Sequence, residues 1–139
     1  MCGIAGLIHR DGSAEIGAEM TLMLQALKHR GPDSSGFALY GEPAEDTLIM
    51  RFKVAEREDM ATGFGIRAEI EERRATVDAR FNEMGAVMLS QEEATEYAYR
   101  YRFTFGDDLV KLARYIEDVE GAEILSLGSA LELIKDLGD

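Results

Sequence analysis

The chain has 139 residues, 46% of them hydrophobic and 30% charged, the make-up of one soluble globular domain long enough to bury a core. Its 27 acidic residues against 15 Lys plus Arg leave a formal charge of −12, a surface that repels phosphate backbones and argues against a nucleic-acid partner. One cysteine cannot form an internal disulfide, and with two histidines it makes a poor ligand set, so neither metal nor cofactor is expected.

The opening stretch, MCGIAGLI, is apolar but lacks a basic leader and is too short for a signal peptide or a membrane span. The chain is therefore expected in the cytoplasm, without a membrane partner. Cys2 to Ile8 places Cys2, Ile4 and Ile8 on one face and Ala5 and Leu7 on the other, the pattern of a strand covered on both sides. From Ala14 to Lys28, Ile16, Met20, Met23, Leu24 and Leu27 fall at helical spacing, and such a methionine stripe predicts core packing. Lys28, His29 and Arg30 end this helix, where cations suit the dipole, and Gly31-Pro32 stops it. A short strand, Gly36 to Tyr40, follows.

Thr47 to Val54 predicts a strand and Gly63 to Arg74 a helix carrying Ile66 and Ile70. Thr76 to Phe81 alternates through Val77, Ala79 and Phe81 and predicts a further strand, whereas Glu83 to Glu93 carries no clear period. The plainest strand is TEYAYRYRFTF, with Tyr97, Tyr99, Tyr101, Phe103 and Phe105 on one face. Aromatics interleaved with arginine can mark a nucleic-acid surface, but the net charge favours a half-buried antiparallel strand. Asp107-Asp108 caps a helix bearing Leu109, Leu112, Ile116 and Val119, which Gly121 ends. Ala122 to Leu127 predicts a strand and Ser129 to Leu137 a short closing helix. The fold class is thus α+β, and residues 46 to 128 run β-α-β-β-α-β, the ferredoxin-like order.

Two motifs of the first 41 residues belong together. M-C-G-I-x-G at the start, followed some twenty residues on by H-R-G-P-D-S-S-G, resembles the class II glutamine amidotransferase domain of the N-terminal-nucleophile hydrolases. The Pro-Asp form of the loop is similar to asparagine synthetases and to the glutaminase-like subunits of glutamate-synthase and N-methylglutamate-synthase-type complexes. The resemblance implies part of an αββα sandwich. Residues 1–45 would hold its nucleophile strand, helix and loop, and residues 46–139 an inserted α/β subdomain.

The chemistry has its own logic. A thiolate is the nucleophile, yet a free cysteine has a pKa of about 8.5 and needs a base. With Met1 removed, the α-amine of Cys2 itself, at about 7.7–8.0, can take the thiol proton. The resemblance implies that Cys2 attacks the side-chain amide of L-glutamine and that ammonia passes to a synthase subunit in trans, since nothing here looks like an acceptor site. Gly3, Arg30, Gly31 and Asp33 are expected to shape the site, with Arg30 and Asp33 three apart across a turn. His29 is expected as a helix-end residue rather than a base.

The family's other parts are missing from the sequence. Its oxyanion donors come partly from an Asn-Gly pair, but the one asparagine, Asn82, precedes Glu83. Its glutamine-gripping arginine lies in an H-T-R segment, which is absent, so the substrate-binding residues are expected beyond Asp139. A fragment of a longer domain, a split domain completed in trans, and a degenerate, non-catalytic interaction subunit are the three readings this leaves. The first two are favoured because the sequence stops at an element boundary.

Overall fold

The computed structural model describes residues 3–10, 12, 15–30 and 34–137, the side chains of Arg30 and Leu137 excepted. The chain divides into two compact units, residues 37–134 and residues 1–36 with 135–139.

The larger unit contains a four-stranded antiparallel sheet made of β2 (Leu48–Lys53), β3 (Val87–Glu93), β4 (Ala98–Thr104) and β5 (Glu123–Gly128), in the order β3-β4-β2-β5. Between β2 and β3 come α2 (Arg57–Ala61) and α3 (Ile66–Glu83), and between β4 and β5 comes α4 (Leu109–Glu117). The β-α-β-β-α-β order expected from the sequence is present, with the second strand displaced to β3. Sequence alternation explains the layering. Met50 and Phe52 of β2 and Tyr99, Tyr101 and Phe103 of β4 point to one face and are buried with Ile70, Val77 and Phe81 of α3 and Leu112 and Ile116 of α4. The rings meet edge to face, Phe52 on Tyr101 at 4.9 Å and Phe81 on Phe103 at 4.8 Å between centroids, the arrangement aromatic quadrupoles favour. Asp108 caps α4 by accepting from the amides of Val110 (2.9 Å) and Lys111 (3.3 Å), and Gly121 takes the positive φ of 81° that ends the turn after it.

Four expectations of secondary structure are corrected. The stretch Thr76–Phe81 is the C-terminal part of α3, not a strand. Val77 and Phe81 are buried while Ala79 between them is exposed, so the period is four and not two. The segment without a clear period supplies the missing strand, β3, whose register shifts between Met88 and Ser90. Ser129–Leu137 is not a helix: Leu131–Leu137 is strand β6, paired with β1 (Ser34–Tyr40) in a two-stranded sheet. Gly3–Ile8 is irregular and not strand, with Ile4 93% and Ile8 87% exposed. A strand apolar on both faces needs cover and hydrogen-bonded neighbours, and among the described residues no strand pairs with this one.

The smaller unit holds α1 (Ile16–Ala26) and a 3-10 turn, Lys28–Arg30. The helix forms where the spacing predicted it, but it buries no residue: Met20, Met23, Leu24 and Leu27 are half-buried and Ile16 is exposed. The methionine stripe is therefore not core in this chain.

Candidate functional site

Of the five residues the sequence singles out, Cys2, Gly31 and Asp33 lie outside the described residues. Gly3 is exposed in the irregular N-terminal stretch, and Arg30 closes the 3-10 turn that follows α1. The turn forms because α1 stops at Ala26, with the Leu27 amide bonding the Leu24 carbonyl at 3.0 Å. The two serines of H-R-G-P-D-S-S-G open β1, so the motif runs from a helix end into a strand. His29 is exposed within the turn, the place of a helix-end residue. Nearer the start, His9 Nε2 and Glu19 Oε2 lie 2.7 Å apart, tying the irregular stretch to α1.

A second polar constellation lies wholly in the larger unit, on the sheet face away from the helices. Alternation places Arg51 of β2 beside Arg100 of β4, and the two are register partners. Two adjacent guanidiniums repel unless an anion joins them. Glu132 of β6 does so: Arg100 donates from Nε to its Oε2 (2.8 Å) and from Nη2 to its Oε1 (2.9 Å), a bidentate fork, while Arg51 Nε donates to Oε2 at 2.6 Å. Arg100 also reaches Glu92 of β3 at 3.0 Å. The Glu132 side chain is 16% exposed, and the Arg100 hydrogen bonds first, with those of Arg51, hold its carboxyl down to about 2. Sequence reasoning missed this residue. The alternating Arg100 and Arg102 marked the polar face, but nothing local pointed to an acid 81 positions from Arg51.

Other charged groups serve the fold. Lys53 is buried, which works against its charge, yet Glu56 (2.5 Å) and Glu123 (2.9 Å) outweigh that and leave its pKa raised. Tyr101 donates to Asp78 at 2.7 Å, and burial first, then this bond, raises its pKa. The open cleft along α3 is lined by Arg73 and Arg80, but Arg73 already holds the Val54 carbonyl (2.8 Å) and Glu69 (3.0 Å), and Arg80 the Tyr115 carbonyl. Among the described residues no group of three or more His, Cys, Asp or Glu could hold a metal ion, and no helix is long and apolar enough to cross a membrane.

The chain is 33% identical over 143 aligned residues, 99% of its length, to a Methanothermobacter thermautotrophicus protein named "Putative glutamine amidotransferase". It is 38% identical over 60 residues to the "Glutamine amidotransferase-like protein GlxB" of Rhizobium meliloti. These matches support a glutamine amidotransferase-like domain. The chain spans 44% of the first relative's length, and the match to the second covers 20% of that protein. Neither a protein-family model nor a solved structure matches the chain.

Proposed function

We propose that this amidotransferase-like chain is the nucleophile-bearing part of a class II glutamine amidotransferase, of the N-terminal-nucleophile type, that works in the cytoplasm and releases ammonia from L-glutamine for a synthase subunit in trans. In this reading residues 1–45 carry the nucleophile and the R-G-P-D-S-S-G loop, and residues 46–139 form an α/β subdomain within the same domain. The observation that carries it is one coincidence: the only cysteine stands at position two of a chain related along 99% of its length to a protein named for this chemistry.

Removal of Met1 frees the α-amine of Cys2. The amine takes the thiol proton as sulfur bonds to the side-chain amide carbon of glutamine. The proton then passes to the amide nitrogen, the C–N bond breaks, and ammonia leaves a glutamyl thioester. Water attacks that carbon, the C–S bond breaks, and glutamate leaves with the thiol restored. Gly3, Arg30, Gly31 and Asp33 shape the pocket around the sulfur in this reading, with the residues that grip glutamine beyond Asp139.

The test is labelling with a glutamine-analogue electrophile. Attachment at Cys2 and loss of glutamine hydrolysis in Cys2→Ala support the assignment; full hydrolysis by Cys2→Ala refutes it. One observation favours the other reading, a catalytically inactive interaction subunit: α1 buries no residue, and Ile4 and Ile8 stand exposed. Intact mass separates the two, because retained Met1 leaves no basic α-amine on Cys2.

A further inference from the structure

The sheet face away from the helices carries four cations on its two central strands. Alternation puts Ile49, Arg51 and Lys53 of β2 there, with Arg100 and Arg102 of β4, and the register sets Arg51 opposite Arg100 and Ile49 opposite Arg102. Three of the four cations are matched by acids. Arg51 and Arg100 share Glu132, Arg100 also reaches Glu92, and Lys53 holds Glu56 and Glu123. The fourth is not: among the described residues no hydrogen bond or ion pair reaches the guanidinium of the half-buried Arg102.

The residue beside it has the same lack. Ser90 of β3 is the register partner of Arg102 on the other flank of β4. It lies two residues before Glu92, which bonds Arg100 on this face, whereas Gln91 between them bonds Asp78 of α3 on the opposite one. Opposed residues of an antiparallel pair have Cβ atoms about 4.5–5.5 Å apart, so the Ser90 and Arg102 side chains are neighbours. The Ser90 Oγ is buried, and no protein group bonds it. A buried hydroxyl without a partner costs its desolvation, and a half-buried guanidinium without an anion costs more. Side by side and unengaged, the two offer their donors to an acceptor that carries negative charge.

We propose that Arg102 and Ser90 form a receptor for the carboxylate of a small-molecule ligand. It involves only residues of the larger unit and does not depend on the function proposed above. The preference for a carboxylate follows from the same strand. Two residues earlier, Arg100 grips the Glu132 carboxylate in a bidentate fork, and Arg102 repeats that side chain about 7 Å further along the face without an acid. The planar guanidinium meets both carboxylate oxygens at once, and the serine O–H supplies a further bond. A doubly charged phosphate fits less well. One guanidinium and one hydroxyl leave much of its charge uncovered, in a chain whose own formal charge is −12. That charge also repels an acidic protein segment, which leaves a small, singly charged group as the ligand that fits.

The test is an amide NMR titration of the 139-residue chain with sodium acetate, run beside sodium chloride and sodium phosphate at matched ionic strength. Acetate is expected to shift the Ile49, Ser90 and Arg102 amides saturably, with the millimolar Kd of so small a ligand. Arg102→Gln is expected to weaken binding about tenfold and Ser90→Ala about threefold. Ser90→Ala removes a hydroxyl that bonds no protein group, so it keeps the fold and decides the matter should Arg102→Gln not fold. Equal shifts with chloride would mean simple screening and overturn the receptor, as would acetate shifts that do not saturate. Tighter binding of phosphate than of acetate would overturn the choice of carboxylate. Acetate affinity unaltered by Ser90→Ala or by a folded Arg102→Gln would overturn the site.

Discussion

Residues 37–134 and residues 1–36 are both rich in apolar side chains, yet they use them in opposite ways. Among the described residues every buried hydrophobic lies between Met50 and Val119. In the first unit α1 buries nothing, and Ile4, Ile8 and Leu22 are left in solvent. Hydrophobic content alone therefore does not make a core. The larger unit succeeds because period-2 strands and period-3.6 helices present flat apolar faces to one another, so each element covers its neighbour. The described residues among the first 36 contain one regular helix and the opening residues of one strand, too few layers for mutual cover. The motifs associated with chemistry lie in the unit that is less able to bury itself.

The largest effect that would sharpen this contrast is in the aromatic core. Phe52 is fully buried between Tyr99 and Tyr101. Phe52→Ala is expected to cost about 3–5 kcal/mol in urea unfolding, enough to unfold much of a marginally stable domain. A loss under about 1 kcal/mol would mean that the sheet-on-helix packing is not what holds residues 37–134 together.

The next effect is electrostatic and depends on pH. The Glu132 carboxyl is held down to about 2 from an ordinary 4.5. A carboxyl lowered in the folded state stabilises the fold fully above its unfolded pKa and loses that contribution as pH falls toward the folded one. Glu132→Gln is thus expected to cost about 3 kcal/mol near neutral pH, about half that at pH 3, and nothing below pH 2. Urea unfolding of both proteins at pH 7 and pH 3 checks it. An equal difference at the two values would show that the glutamate acts by shape and not by charge.

The same contrast explains what the sequence disclosed. Strand β4 and helix α4 were legible because each carries a single period and a local stop: five aromatics two apart, and Asp108 with Gly121 around an apolar stripe. The β-α-β-β-α-β order is present, but its second strand comes from Val87–Glu93 and not from the Thr76–Phe81 stretch that the sequence offered. Helix α3 was cut short because Val77, Ala79 and Phe81 satisfy periods of two and four equally, and only burial separates them. Strand β6, expected as a helix, is fixed by its pairing with β1 and by a pair of arginines on distant strands, neither of which is visible in its local sequence. The proposed site rests on motif order alone, Cys2 and then Arg30 to Asp33, and of these residues the structure describes only Arg30.

The smallest expected effect tests the other side of the comparison. Ile4 and Ile8 look like core residues in sequence, apolar and in an apolar run, and stand 93% and 87% exposed. A side chain stabilises in proportion to the apolar area that folding removes from water, about 25 cal/mol per Å². With roughly a tenth of each side chain covered, the double variant Ile4→Ala with Ile8→Ala has almost no burial to lose. Its unfolding free energy is expected to stay within about 0.5 kcal/mol of wild type, the range of ordinary surface substitutions. Urea unfolding of the 139-residue chain measures this directly. A loss above about 2 kcal/mol would place both isoleucines in a packed layer and erase the distinction between the two regions. A change inside the expected range leaves the apolar run at the N-terminus without a role in the stability of this chain, and so makes its sequence a matter of what it does rather than of how the chain folds.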